Sequence, residues 1–258
     1  MNNLHRKRQR TSRNKLKHNG SRRKSRVRNK QVRKWIAEGL TIGSINIRGL
    51  TFKKIYTILG KLDADILCIQ ETWMSPLAVS PKIDGYKIIE ERRKDSTRGG
   101  IAIYVRNKLT VTWTKSNEYC ILAKITLPNS RRINIANIYL PPTSSLKRRQ
   151  ITDEQATTAI EDIIDHHQPQ LTTVLCGDFN ARIGNNVTEM DPPHPPRSSS
   201  DQYICPRAKW FLQFCAKYTL YILNGTHTPA TCTCHASRGE SIVDYILCNI
   251  VSLQVQMT

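Results

Sequence analysis

The first 34 residues contain no aspartate and no glutamate, although they hold 15 lysines and arginines. With no counter-charge and few apolar side chains, such a stretch cannot bury enough surface to offset the entropy of ordering it. Residues 1–34 therefore read as a disordered basic tail. Its clusters Arg6-Lys7-Arg8-Gln9-Arg10 and Arg22-Arg23-Lys24-Ser25-Arg26 suit contact with nucleic-acid phosphates or nuclear import. A solvated arm without a role is the plain alternative. A mitochondrial presequence would also be rich in arginine, but the interleaved leucine and phenylalanine it uses are lacking here. The tail supplies 15 of the net +20 charge, and the rest of the chain sets 25 basic against 20 acidic residues.

Long apolar runs are missing too. No segment approaches the roughly 18 consecutive apolar residues of a membrane span, and no secretory core follows the basic start. The expectation is a soluble monomer, nuclear or cytoplasmic and not secreted. Repeats and Gly-rich nucleotide loops are absent. The eight cysteines (68, 120, 176, 205, 215, 232, 234, 248) are mostly single and lie in apolar runs, so they read as small core residues. Cys232-Thr233-Cys234-His235 gathers three soft ligands, but no second pair at proper spacing completes a zinc site. Alternation makes Cys232 and Cys234 same-face strand residues instead.

What is present is mostly strand. Leu40 to Ile47, Asp65 to Glu71, Tyr86 to Glu90, Gly100 to Val105, Tyr119 to Leu127 and Ile133 to Tyr139 are apolar runs separated by turn signals. Thr172 to Cys176, Tyr221 to Leu223, Thr231 to Cys234 and Ser241 to Cys248 continue the series. Phe52, Ile55, Ile58, Leu59 and Leu62 have helical spacing. Thr152 to His167 reads as a helix, with a Thr152/Gln155 capping box and Pro169 beyond its end. His166 and His167 fall in its last turn, where the helix dipole accounts for them. Arg207 to Tyr218 reads as another helix, and Asn185 to Pro206 as a long loop, functional or disordered. Connections too short for regular βαβ crossovers imply an α+β fold: a two-sheet β-sandwich flanked by helices.

Polar residues end or interrupt these strands in a regular way. Asn46 closes the first run, Glu71 ends Ile66-Leu67-Cys68-Ile69, Tyr139 ends Ile133 to Ile138, and Asp178 follows Val174-Leu175-Cys176. Asp178 and Asn180, two residues apart, face the same way and can address one substrate atom. Asp244 stands between Ile242 and Ile246, a costly place for an acid unless it is paired, protonated or metal-bound. Together they imply one polar mouth above a sandwich. Phosphodiester hydrolysis suits such a set, because it needs a base for water, a cation for the non-bridging oxygens and donors fitted to the transition state. The hard oxygen donors favour Mg2+ (or Mn2+), with Glu71 as the obvious ligand.

Six segments in order carry a resemblance: Asn46-Ile47-Arg48-Gly49-Leu50, Gln70-Glu71-Thr72-Trp73, Arg98-Gly99-Gly100-Ile101-Ala102, Tyr139-Leu140-Pro141-Pro142, Gly177-Asp178-Phe179-Asn180 and Ser241-Ile242-Val243-Asp244-Tyr245. Together they resemble the endonuclease/exonuclease/phosphatase superfamily, which includes the abasic-site endonucleases. Within it they are most similar to the endonuclease domain of LINE-type (non-LTR) retrotransposons, over about residues 40–250. The resemblance implies a metal-dependent DNA endonuclease that nicks its substrate. It implies Glu71 as metal ligand with Asn46 beside it, and Asp178 as the group that orients or deprotonates water. Asn180 and Tyr139 would bond the scissile phosphate, and Asp244 would orient a histidine. Thr231 and Ser241 would contact the substrate strand, whereas Arg48 stands where some relatives have a carboxylate, so a second metal ligand is absent there and Arg48 would meet phosphate instead.

The family's terminal Ser-Asp-His segment has no match here, and no histidine follows His235. The expectation is a domain over residues 38–258, incomplete at its C-terminus with its last strands missing, and weakened or inactive. The alternative is a non-catalytic nucleic-acid-binding remnant whose basic tail dominates affinity.

Overall fold

The computed structural model describes residues 33–37, 39–94, 98–187, 194–226, 229–236, 239–249 and 255–257. The two basic clusters of the tail lie outside the described residues. One sheet holds β1 (Arg33–Ala37), β2 (Leu40–Asn46), β3 (Ile66–Gln70), β4 (Tyr86–Glu91), β5 (Ile101–Arg106) and β14 (Val255–Met257), in the order β14-β1-β2-β3-β5-β4. The other holds β6 (Thr110–Asn117), β7 (Cys120–Thr126), β8 (Arg132–Tyr139), β9 (Thr172–Asp178), β10 (Tyr221–Ile222) and β13 (Asp244–Cys248), in the order β10-β13-β9-β8-β7-β6. A hairpin of β11 (Cys234–Ala236) and β12 (Gly239–Ser241) stands apart. The helices are α1 (Phe52–Leu62), α2 (Thr143–Arg148), α3 (Asp153–Ile164) and α4 (Ala208–Lys217).

Alternation along the central strands explains the layering. In β3, Ile66 and Cys68 join the core between the sheets, while Leu67 and Ile69 pack outward with Ile55, Leu59 and Leu62 of α1. Both faces of β3 are covered, so Ile66 to Ile69 read as one apolar run and only Gln70, at the strand end, is polar. In β9, Val174 and Cys176 face inward, and Leu175 faces a second outer layer with Ile160 and Ile164 of α3 and Phe211 and Phe214 of α4. The result is an α+β sandwich of two sheets with helices on both outer faces.

Local signals set the helix ends. Thr152 and Gln155 form the expected capping box, with Gln155 N–H donating to Thr152 Oγ1 at 3.0 Å and Thr152 N–H to Gln155 Oε1 at 2.8 Å. Thr51 caps α1, and Asp63 in the left-handed region ends it. α3 stops at Ile164, so His166 and His167 lie just past its last turn. Their Nδ1 atoms bond the carbonyls of Asp162 and Ile164, at 3.0 and 2.9 Å.

Several boundaries differ from the sequence reading. β1 takes in Arg33 and Lys34, which composition assigns to the tail, and starts the sheet before residue 38. The Ser241 to Cys248 run is broken at Ile242 and Val243, where side chains take the backbone donors. Asp201 Oδ2 accepts from Ile242 N–H at 2.9 Å, and Thr233 Oγ1 accepts from Val243 and Asp244 N–H at 3.1 and 3.2 Å. Of Thr231 to Cys234 only Cys234 is in a strand, so Cys232 and Cys234 do not share a strand face. Two short elements fall within the long loop's span or beside it as bridges, Ile183 with Ile204 and Ser199 with Ala230, and a bidentate Arg182–Asp201 pair ties the same region together.

Among the described residues no helix is long and apolar enough to cross a membrane.

Candidate active site

The strand ends explain why one mouth collects the polar residues. Two parallel pairs, β2 with β3 and β8 with β9, send their carboxyl ends in the direction of the site. Asn46 follows the inward position Ser44, Tyr139 belongs to the core between the sheets, and Asp178 follows inward Cys176. Asp244 precedes inward Ile246 and is the Cα partner of Asp178 across β9 and β13. Each is thus the last inward-facing residue at one end of its strand.

Asn46 joins the two sheets at this point. Its Nδ2 donates to Glu71 Oε1 at 2.7 Å and to Asp178 Oδ2 at 2.8 Å. Glu71 has the alternation of outward Leu67 and Ile69, yet its carboxylate turns inward because its φ is +54°. Arg48 (+46°), Trp73 (+52°) and Asn180 (+46°) share that uncommon conformation. Non-glycine residues held this way cost free energy and persist where surrounding bonds over-determine them. Those bonds are present: Gly49 N–H donates to Glu71 O at 2.8 Å, Leu50 N–H to Thr72 O at 2.7 Å, Thr72 N–H to Gly100 O at 3.1 Å and Trp73 N–H to Gly99 O at 2.9 Å. Gly100 also needs its missing side chain, since a Cβ there would sit 2.4 Å from Thr72 Oγ1. The Arg98-Gly99-Gly100 segment therefore shapes the Glu71 turn.

The electrostatics follow from burial. Asp178 is held well above the usual carboxylate range, first by burial and then by the facing Asp244 carboxylate, with Glu71 adding to both. Hydrogen bonds from Asn46 and from the Asn180 N–H, the latter at 2.9 Å to Oδ1, pull the other way. Burial, and then Glu71 and Asp178, push the Tyr139 phenol far up, so it stays a neutral donor. Arg93, itself buried, opposes that shift and so lies within electrostatic reach of the mouth.

Not every expected residue enters the mouth. Asn180 spends its Nδ2 on Leu140 O at 3.0 Å. Arg48 is exposed and reaches Cys234 Sγ at 3.8 Å, which sets the β11–β12 hairpin beside it. Ser241 is the partner of Cys234 in that hairpin, and Thr231 is exposed just before it. These three flank the site. Sequence reasoning missed Gln70 and Asn137, which lie directly beneath it. Asn137 Nδ2 donates to Ile69 O and Ala102 O, both at 2.9 Å, and this fixes its Oδ1 as acceptor for Gln70 Nε2 at 2.6 Å. The signal was available, since both are polar residues at inward positions of apolar strands.

Among the described residues no group of three or more His, Cys, Asp or Glu is set to hold a metal ion. A magnesium or manganese ion needs less, because it keeps several waters and takes one or two carboxylates. Glu71, Asp178 and the Asn46 amide are hard oxygen donors at one point, and a cation there would offset the like charges that raise Asp178. The residues fit such an ion.

A two-sheet sandwich with acids at the carboxyl ends of its central strands defines a class that comparison with known proteins makes specific. The Endonuclease/Exonuclease/phosphatase family profile matches residues 43–256, and the chain belongs to that family. The fold is similar to the endonuclease domain of TRAS1, a telomere-specific non-LTR retrotransposon, with a TM-score of 0.56 and 15% identity over 80% of this chain and 84% of that one. It is similar to the Xenopus laevis APE2 catalytic domain, with a TM-score of 0.58 and 19% identity over 81% and 82%. The human Nocturnin catalytic domain gives 0.57 and 15% over 90% and 86%. At such identities the likeness is one of fold. No curated protein sequence matches the chain.

Proposed function

We propose that the chain is a metal-dependent phosphodiesterase that nicks DNA, of retrotransposon type. The observation that carries this reading is the Asn46 amide bonding Glu71 and Asp178 at once, which gathers a ligand and a base from different sheets. A divalent cation, Mg2+ or Mn2+, would be held by Glu71 with Asn46 beside it, and would neutralise the non-bridging phosphate oxygens. Asp178 takes the proton of the attacking water. Asn46 Nδ2 and the Asn180 N–H, which donate to its two carboxylate oxygens, aim it. Tyr139, kept neutral, donates to a phosphate oxygen, and Arg48, Thr231 and Ser241 line the approach of the strand. Both the TRAS1 domain and this chain's basic balance favour DNA as substrate.

A second reading, nucleic-acid binding without turnover, rests on the excess of basic over acidic residues, which suits phosphate contact with or without hydrolysis. Incubation with supercoiled plasmid separates the two. Nicking that requires magnesium and disappears in Asp178→Ala supports the enzyme, whereas tight binding with intact plasmid supports the second reading.

A further inference from the structure

Trp73 stands two residues beyond Glu71, and its side chain is 39% exposed. Two other tryptophans have partners for their rings: Trp113 stacks on His166 beneath Lys124, and Trp210 packs on Phe214 while its Nε1 donates to Glu161. Among the described residues Trp73 has no aromatic, cationic or hydrogen-bonding side-chain partner. Its ring rests on Gly49, where any side chain would meet the indole Cε3 at 3.3 Å. The turn under the ring is clasped by Lys54, whose Nζ donates to the carbonyls of Ile47, Arg48 and Gly49 at 3.2, 3.1 and 2.7 Å.

The indole is therefore fixed without being enclosed. Its backbone sits at φ +52°, a costly conformation for an aromatic residue, and the Trp73 N–H is tied to Gly99 O. Solvent exposure of a lone apolar side chain is ordinary in itself. A strained backbone that holds a large ring open beside a cluster of site acids is not. The same turn carries exposed Arg48, a cation suited to a phosphate. An aromatic face next to a phosphate-binding cation matches one repeating chemistry, a nucleobase attached to its phosphate.

We propose that Trp73 is a stacking platform for an unpaired or extruded nucleobase adjoining the scissile phosphate. This rests on the nuclease reading given above and names the part of the substrate that Trp73 receives. Every base has a π face, so the platform accepts any base and rewards one that has left the duplex stack. The rigid seat on Gly49 lowers the ordering cost of that contact.

The test uses the full chain without divalent cation, so that binding is read without cleavage. Intrinsic fluorescence and affinity are followed with a single-stranded oligonucleotide and with a base-free (abasic) strand of equal length and charge. The base-bearing strand should quench tryptophan emission, and Trp73→Leu should weaken its binding roughly tenfold. Trp73→Phe, which keeps a ring, should restore most of the affinity while losing the quench, and affinity for the base-free strand should stay the same in all three. If Trp73→Leu weakens both strands equally, or neither, the stacking role is overturned while the nuclease reading stands. If the wild-type chain binds neither strand, the stacking role is overturned and a protein ligand for this ring becomes the better account, while plasmid nicking decides the nuclease reading separately.

Discussion

Asp178 and Asp244 stand directly opposite each other across the antiparallel pair of β9 and β13. Like charges so placed destabilise a sheet, and burial adds to the penalty on Asp178. Asp178→Asn should therefore stabilise the protein by about 1 kcal/mol at neutral pH. It should also lower the rate of hydrolysis by roughly 10²–10⁴-fold. The pH dependence has a definite sign. Below the unfolded-state value of about 3.9, Asp178 is protonated in both states and the variant matches wild type. As pH rises toward the raised folded-state value, the native state retains a proton that the unfolded state has lost, and wild-type stability falls. Denaturation at several pH values, without divalent cations, should show the gap opening upward from about pH 4. A constant gap would disprove the electrostatic origin.

Cation binding should reverse that penalty. Titrating magnesium should stabilise wild type by about 2.7 kcal/mol at a hundredfold excess over Kd, and so raise its unfolding temperature. Glu71→Gln should remove most of this response while leaving the metal-free unfolding temperature nearly unchanged. Calorimetry with and without magnesium reads both, and calcium serves as a control for ionic strength.

Gly177 offers a steric test. A Cβ there would lie 2.0 Å from the Ile138 carbonyl oxygen in the neighbouring strand. No rotamer relieves a clash with backbone, so β8 and β9 must separate, and with them Tyr139 and Asp178. Gly177→Ala should cost about 2 kcal/mol or more and reduce activity together with stability. An alanine variant that melts normally and cleaves normally would contradict the register described.

The amide bridge under the site predicts non-additivity. Asn137→Leu strands Gln70 and two carbonyls inside the core, which should cost about 3 kcal/mol. Adding Gln70→Leu removes one of the orphaned groups, so the double variant should be less destabilised than the sum of the singles. A denaturant-based double-mutant cycle measures the coupling, and a value near zero would show the bridge to be dispensable.

The basic stretch ahead of β1 can be tested by deletion. Because β1 begins at Arg33, the cut belongs at residue 32. Removing residues 1–32 should lower DNA affinity and flatten its dependence on salt without preventing folding. An unchanged salt slope would exclude the stretch as a phosphate contact.

Much of the mouth was legible in sequence because the sandwich imposes a rule: a polar residue that ends a buried strand must face other polar groups. Asn46, Glu71, Tyr139, Asp178 and Asp244 obey it. The rule identifies positions, but not the backbone turn that aims Glu71, since nothing in Gln70-Glu71-Thr72 announces a positive φ. β6 went unread because its Thr-Val-Thr-Trp-Thr-Lys-Ser-Asn run is mostly polar, and its half-buried face forms only when α3 packs nearby. α2 went unread because Leu146 is its only buried residue. Gln70 and Asn137 looked like ordinary polar neighbours of the acids, and only the approach of the opposite sheet makes them a pair.

The bond from Asn46 to Asp178 spans 132 residues. Such long-range closure comes late in folding, after the chain has paid the loop entropy of joining distant segments. A polypeptide still emerging from the ribosome would own Asn46 and Glu71 well before Asp178 is synthesised. The mouth is thus incomplete until Asp178 has been synthesised and β9 has joined its neighbours.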